Sequence, residues 1–196
     1  MRSRKDFGLM LNTKKLVGMG VEVGVHTGQY SKEILKTWSG EKLFLVDPWA
    51  CLDDYYDSYN ASDMIMNRRY KIAKKKLSLW SHNLVWLRER SEKAAKRFRD
   101  QSFDFVYIDA NHSYKHAKKD LSLWYPKVKK GGIFAGHDYF DALADEYLEP
   151  IFGSISTPEN LTSYGVKSAV DEFSKEHGVE IFFTQEKYPT WYFIKS

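Results

Sequence analysis

The feature that most constrains this chain is a regular alternation of short apolar runs with stretches in which apolar residues recur at helical spacing. The runs of strand length are 19–25, 42–47, 84–87, 103–109 and 133–136. Each is followed by a segment whose apolar residues would line one face of a helix. This alternation predicts an α/β domain with a mostly parallel sheet.

Several finer features can be predicted from local sequence signals. Ser62 is expected to cap a basic helix that runs to about residue 77, and Ser91 to cap a short helix through residue 98. Gly131-Gly132 is expected to form a turn before the fifth strand. Two further runs, 180–183 and 191–194, should end the chain as an antiparallel pair.

Length and composition restrict the class of protein. With 196 residues the chain has room for one domain, and its net charge of +4 is too small to argue for nucleic acid binding. Its longest stretch without Asp, Glu, Lys or Arg is 77–87, far short of the roughly 20 apolar residues of a membrane span. Cys51 is the lone cysteine, which fits a reducing compartment. We therefore expect a cytoplasmic protein without a membrane partner.

A carboxylate and two glycines follow the first predicted strand, where open parallel sheets bind ligands. Glu22, Gly24 and Gly28 are spaced E-x-G-x-x-x-G, unlike the G-x-G-x-x-G of dinucleotide-binding proteins. Glu22 would repel a pyrophosphate and favour a cationic ligand. Asp47 ends the second strand with two acceptor oxygens, which match two adjacent hydroxyls of a ligand. A tight turn without a ligand, and a turn cap before Pro48, are the alternative interpretations.

The E-x-G-x-x-x-G segment resembles motif I of the class I S-adenosylmethionine-dependent methyltransferases. Over roughly residues 17–178 the chain is similar to one branch of that family, the small-molecule O-methyltransferases of macrolide-sugar, cephamycin and catechol type. The segments that carry this similarity include Ser91-Glu92-Lys93-Ala94-Ala95, Asp109-Ala110-Asn111-His112, Trp124-Tyr125-Pro126, Gly136-His137-Asp138-Tyr139 and Gly165-Val166-Lys167.

The resemblance implies a Rossmann-like fold: a doubly wound, mostly parallel seven-stranded sheet with an antiparallel C-terminal strand, in one domain spanning 1–196. It also implies S-adenosylmethionine as the cofactor. The residues that it assigns to this cofactor are Glu22, Val23, Gly24, His26, Thr27, Gly28, Asp47, Ser91 and Asp109. In the family, the loop at Ser91 borders the adenine, and the aspartate at 109 lies beside the transferred methyl group.

Two aspartates and two histidines follow the fourth and fifth predicted strands. Methylation of a hydroxyl requires removal of a proton, and histidine is the usual base near neutral pH. His112 and His137 are therefore candidate bases, which Asp109 and Asp138 could orient. The two aspartates could instead hold a divalent metal that acidifies the hydroxyl. Each histidine could also be a loop residue that merely caps a helix.

Three positions depart from the family pattern. His26 stands where many members have glycine, and Lys130 replaces a proline before the Gly-Gly turn. His137 stands where metal-dependent members carry Asp or Glu. Magnesium prefers oxygen ligands, and Asp109 and Asp138 supply only part of a shell. We therefore expect at best a partial effect of this metal.

The long irregular segment 139–165 is the candidate acceptor lid, since loops of this length in small domains are usually functional. The expected activity is O-methylation of a small hydroxylated acceptor, such as a sugar or natural-product intermediate. Residues 109–112 lack the Asn/Asp-Pro-Pro-aromatic signature of base-modifying relatives, which argues against a nucleic acid partner. The alternatives are an NAD-type oxidoreductase and a non-catalytic protein that docks nucleic acid through helix 68–76. A homo-oligomer is possible, and the sequence does not determine the oligomeric state.

Overall fold

A computed structural model describes residues 1–53, 59–142 and 164–196. Its strands are β1 (Met19–Val23), β2 (Lys42–Val46), β3 (Leu84–Leu87), β4 (Phe103–Ile108), β5 (Val128–Gly136), β6 (Asp141–Ala142), β7 (Tyr164–Gly165), β8 (Phe182–Phe183) and β9 (Trp191–Ile194). The described α-helices are α1 (Phe7–Thr13), α2 (Gln29–Thr37), α3 (Asp63–Lys76), α4 (Ser91–Ala95), α5 (Tyr114–Trp124) and α6 (Val166–His177). Three 3-10 turns occupy Arg4–Asp6, Ser78–Asn83 and Tyr125–Lys127.

Seven strands form one sheet in the order β3-β2-β1-β4-β5-β9-β8. Strands β1 to β5 are parallel, whereas β9 runs antiparallel to both β5 and β8. The predicted Rossmann-like fold is therefore confirmed. The strand order reverses between the neighbours β1 and β4, and in such sheets ligands bind at the carboxyl ends of the strands on either side of that reversal.

The central strands are apolar on both faces because helices cover both sides of the sheet. Helices α1, α2 and α3 pack on one face, through buried residues such as Phe7, Ile34 and Ala73. Helices α4, α5 and α6 pack on the other, through residues such as Ala94 and Leu121. Within the described ranges, no helix combines the length and apolar character needed to cross a membrane.

Several predicted boundaries were wrong. The predicted Gly131-Gly132 turn lies inside β5, where Gly131 has φ +74° and the register against β4 shifts. The bulge keeps the strand continuous where the sequence suggested a break. Arg90 rather than Ser91 holds the N-cap position of α4, and this helix ends at Ala95 rather than residue 98. Ser62 does hold the N-cap position of α3, but its side chain makes no capping hydrogen bond.

The first described turn and α1 were not predicted. Ser3 and Asp6 form a capping box, in which the Ser3 backbone N–H donates to the Asp6 carboxylate at 3.0 Å. Glu186 anchors this turn, since its carboxylate accepts from the Ser3 hydroxyl at 2.8 Å and from the Arg4 backbone N–H at 2.7 Å. These bonds fix the N-terminal segment beside the carboxyl end of the sheet.

The candidate lid is described only at its two ends. Strand β6 pairs antiparallel with β7, with Asp141 opposite Gly165 and Ala142 opposite Tyr164. Residues 143–163 lie outside the described ranges. The ends of the predicted segment are thus held together next to the site.

Candidate functional site

A cavity of about 800 Å³ opens at the carboxyl ends of β1, β2 and β4. Ligand pockets in proteins commonly measure about 300–1,000 Å³. The predicted site residues that line this cavity are Glu22, Val23, Gly24, His26, Thr27, Asp47, Ser91, Asp109, His112, His137 and Asp138. Gly28 does not line it, because its Cα faces the Leu77 side chain, 3.0 Å from where a Cβ would lie. The fold therefore brings together all but one of the residues selected from the sequence.

Gly24 follows β1 and lies close to the backbone at the end of β4. It has φ +89°, and a Cβ added there would lie 1.8 Å from the carbonyl oxygen of Asp109. The Asp109 backbone N–H in turn donates to the carbonyl of Val23 at 2.8 Å. The first glycine of the motif is thus required by a close contact within the protein's own backbone. It also lines the cavity.

Asp47 organises the loop after β1. Its Oδ2 accepts from the backbone N–H groups of Val25 and His26 at 3.0 and 2.8 Å, and its Oδ1 accepts from that of Trp49 at 2.7 Å. Three of the about four acceptor positions of the carboxylate are therefore used within the protein. Asp47 is a turn cap, and it keeps one acceptor position on Oδ1 for a ligand.

His26 occupies the place of the family's middle glycine with a glycine-like backbone. Its φ is +51°, in the left-handed region, so the loop keeps its turn despite the larger residue. Burial lowers the pKa of His26, and the nearby charges of Arg69 and Lys76 lower it further. Its Nε2 is buried without a hydrogen-bond partner among the described residues. The cavity wall therefore holds a polar atom that a ligand could satisfy.

Glu22 lies under the loop, on β1. Its side chain is buried and accepts a short hydrogen bond from the Ser31 hydroxyl. Burial raises the pKa of Glu22 to about 8, although the bond from Ser31 opposes the shift. Glu22 is therefore mostly protonated at neutral pH and would become negative when a cation lies against it.

Ser91 and Asp120 border the cavity on the side of α4 and α5. The Ser91 hydroxyl donates to Asp120 at 2.5 Å and accepts from the Trp124 indole N–H at 2.8 Å. Burial raises the pKa of Asp120 to about 7, although the bond from Ser91 opposes the shift. Because the Ser91 O–H is already donated and one of its two acceptor positions is filled, this hydroxyl could only accept one further hydrogen bond from a ligand.

The four predicted catalytic residues meet at the ends of β4 and β5. Asp138 Oδ1 lies 2.9 Å from His137 Nδ1, and Asp138 Oδ2 lies 3.0 Å from His112 Nε2. Burial alone would raise the pKa of Asp138, but hydrogen bonds from both histidines hold it below its usual range. Asp138 is therefore ionised at neutral pH and orients both rings. The His112 ring also stacks on Tyr164, with 4.8 Å between ring centres.

Arg4 reaches the same cluster from the N-terminal turn, and the sequence did not predict it. Its Nη1 lies 2.7 Å from His137 Nε2, and its Nη2 donates to Asp109 Oδ2 at 3.2 Å. The guanidinium also lies 3.9 Å from the centre of the Tyr30 ring. The Ser3–Asp6 capping pattern could have predicted the turn, but no local signal links residue 4 to the ends of β4 and β5.

Comparisons with known proteins agree with this architecture. A family model described as a methyltransferase domain matches residues 21–139. The O-methyltransferase TomG from Streptomyces achromogenes, involved in tomaymycin synthesis and solved in complex with SAM, is 11% identical with a TM-score of 0.62, over 98% of this chain and 79% of that chain. No curated protein matches the sequence.

Two further solved structures share the fold. An O-methyltransferase from Bacillus cereus in complex with SAH is 12% identical with a TM-score of 0.58, over 98% of this chain and 80% of that chain. An O-methyltransferase family protein from Burkholderia thailandensis is 12% identical with a TM-score of 0.65, over 98% of this chain and 55% of that chain. Because the family model matches more than half of the sequence, the predicted resemblance is confirmed: this chain belongs to the methyltransferase domain family.

Proposed function

We propose that this chain is an S-adenosylmethionine-dependent O-methyltransferase that acts on a small hydroxylated molecule. The observation that carries this proposal is that one cavity joins two sets of residues with different chemistry. The ends of β1 and β2 offer an aspartate acceptor and a buried carboxyl group. The ends of β4 and β5 offer two aspartates and two histidines, and both histidine rings lie within 3.0 Å of the Asp138 carboxylate.

The residues present fit this cofactor. The remaining acceptor position of Asp47 suits a ribose hydroxyl. The Nε2 of His26, which has no hydrogen bond to any residue that the structure describes, suits a polar group of the ligand. When bound, S-adenosylmethionine supplies a methyl group on a positively charged sulfur. Glu22 would respond to a nearby positive charge by losing its proton, since opposite charge favours the ionised form.

For the base, His112 is the better candidate of the two histidines. The Nε2 of His137 already faces a guanidinium donor, so it can take a proton only if Arg4 moves away. The Nε2 of His112 lies 3.0 Å from Asp138 Oδ2 and 3.7 Å from Asp109 Oδ1, so two carboxylates face this ring and no cation lies at comparable distance among the contacts described for it. Asp138 would then stabilise the imidazolium that forms when His112 accepts the hydroxyl proton.

The acceptor would lie beside this cluster, next to Tyr164 at a described end of the candidate lid. Tyr164 and Tyr188 line the cavity, and Tyr164 stacks on His112, so an aromatic surface borders the proposed base. Residues 139–165 stay our proposed acceptor lid, and the cytoplasm stays the proposed compartment. A small molecule is favoured over a macromolecule because the cavity of about 800 Å³ must hold both cofactor and acceptor.

The test is a methyl-transfer assay with isotopically labelled S-adenosylmethionine and a panel of sugars, phenols and hydroxylated natural products, read by mass spectrometry. We expect a mass increase of one methyl group on an acceptor hydroxyl, abolished in His112→Ala and retained in His82→Ala. Stabilisation of the protein by nicotinamide cofactors, with none by S-adenosylmethionine in the same thermal-shift screen, would instead support an oxidoreductase.

A further inference from the structure

We infer that the Arg4 guanidinium supplies the positive charge at the Asp109–His137–Asp138 cluster, and that it prevents divalent metal ions from binding there. The inference goes beyond the proposed function and does not depend on it. It concerns a residue that lies more than 100 positions from its partners in the sequence and reaches them through the N-terminal turn.

Three side chains of the cluster have a spacing that could hold a metal. One ligand atom from each of Asp109, His137 and Asp138 can be chosen so that all three lie within 4.8 Å of one another. On the histidine, the atom that faces both carboxylates is Nδ1, at 2.9 Å from Asp138 Oδ1 and 4.0 Å from Asp109 Oδ2. A metal ion shared by all three would therefore bind His137 through Nδ1.

Arg4 places His137 in the wrong tautomer for that role. A guanidinium is always protonated and can only donate, so His137 Nε2, at 2.7 Å from Arg4 Nη1, must be the accepting nitrogen. The proton of the neutral ring then lies on Nδ1, where Asp138 Oδ1 accepts it at 2.9 Å. The nitrogen that a metal would need is thus occupied by a proton.

The surroundings of His137 are also opposite to those of a metal ligand. A histidine that binds metal through one nitrogen usually donates the N–H of its other nitrogen to a carboxylate, a carbonyl or water. Here the other nitrogen faces a donor. A metal at Nδ1 would force the proton to Nε2, directly against the Arg4 N–H group, and would place positive charge beside the guanidinium.

Arg4 is held in place by contacts from several elements. Its backbone N–H donates to Glu186, its carbonyl accepts from the Tyr30 hydroxyl at 3.2 Å, and its guanidinium lies over the Tyr30 ring. Its Nη2 bonds Asp109 at 3.2 Å, so one planar group contacts two of the three candidate ligands. A fork of this kind offsets one of the two negative charges of the cluster without needing free coordination sites.

The first test is a Mn²⁺ titration of the full chain, followed by electron paramagnetic resonance of the free ion. The variants are Arg4→Gln, whose amide oxygen could accept a proton from Nε2, and Arg2→Gln as the exposed matched control. We expect no saturable site in the wild type or in Arg2→Gln. Arg4→Gln should gain one site, at least about tenfold tighter than any wild-type binding, and adding Asp138→Asn should remove it.

Two outcomes of the titration would overturn the inference: saturable Mn²⁺ binding by the wild type that Asp138→Asn abolishes, or no gained site in Arg4→Gln. A second measurement needs no variant at Arg4. Long-range ¹H–¹⁵N correlation of the wild-type rings should show His137 protonated at Nδ1 and bare at Nε2, with the signal assigned by its loss in His137→Gln. Protonation at Nε2 would contradict the inference. Neither readout requires methyl transfer, so a failure here is distinguishable from a failure of the proposed function.

Discussion

The two halves of the cavity are built in different ways. At the ends of β1 and β2, backbone amides determine the geometry: three N–H groups from a short stretch of chain surround Asp47. At the ends of β4 and β5, side chains determine it: Asp138 orients His112 and His137, and Arg4 arrives from the far N-terminus. The first half is a loop held by backbone hydrogen bonds, whereas the second is a network of charged and titratable side chains.

We therefore expect substitutions in the two halves of the cavity to produce different defects. Changes at the β1/β2 half should alter cofactor affinity and folding. Changes at the β4/β5 half should alter turnover while leaving cofactor affinity nearly unchanged. Gly24 is the exception that couples them, because it lets β1 approach the Asp109 carbonyl.

The largest expected effect is on turnover, from His112→Ala. If His112 is the base, kcat should fall about 10²–10⁴-fold, while the Kd for the demethylated cofactor changes little. Steady-state kinetics and calorimetry on the same preparation would measure both quantities. His82→Ala, in the Ser78–Asn83 turn, is the control. If cofactor affinity fell as much as turnover, the two halves of the cavity would not have separate roles.

The next effect is on folding, from Gly24→Ala. The new methyl group would collide with the Asp109 carbonyl, so we expect the free energy of unfolding to fall by more than about 3 kcal/mol. Gly131→Ala is a matched control, since Gly131 also has positive φ but nothing lies within 4 Å of its added Cβ. It should cost only about 1 kcal/mol of backbone strain. If urea denaturation shows similar losses of stability for both variants, the positive φ alone would explain why position 24 needs glycine. The close approach of the two strands would then not be the reason.

A smaller effect is expected on cofactor binding, from Asp47→Asn. The amide would present an N–H group to backbone donors, disturbing the loop and removing a charged acceptor. We expect the Kd for the demethylated cofactor to rise about 10–100-fold, as the loss of hydrogen bonds to a charged group implies. Calorimetry would measure this, with the exposed Asp53→Asn as control. An unchanged Kd would place the ligand away from the end of β2.

Counted per pH unit, the smallest effect comes from Glu22. Burial raises its folded pKa to about 8, above the unfolded value of 4.5, so between these values the folded protein binds more protons than the unfolded chain. The free energy of unfolding should therefore fall as pH rises from 5 to 8, by up to about 1.4 kcal/mol per pH unit from this group. Asp120, with its pKa raised to about 7, adds a decline of the same sign.

Glu22→Gln should flatten this decline, and the exposed Glu180→Gln should not. Urea denaturation at several pH values would measure the slopes. A slope in Glu22→Gln identical to that of the wild type would mean that Glu22 is ionised in the folded protein. In that case the β1 side of the cavity would carry a permanent negative charge.

The parts predicted from the sequence are those determined by local patterns. The alternation of strands and helices predicted the parallel sheet, and the side chains after each strand predicted the cavity wall, because parallel strands end at one edge. Local sequence signals gave wrong predictions where contacts between distant parts of the chain determine the conformation. Gly131-Gly132 looks like a turn but forms a bulge in β5, and Ser91 looks like a cap but bonds Asp120. Arg4 could not have been found, since its role depends on contacts with residues far along the chain.

A crystal structure of the chain with S-adenosylhomocysteine is the most direct test of the proposed cofactor site. We expect the nucleoside at the carboxyl ends of β1 and β2, with a ribose hydroxyl bonded to the Oδ1 of Asp47. A nucleoside bound elsewhere, or a chain that does not bind it at millimolar concentration, would contradict the proposal that this cavity is a cofactor site.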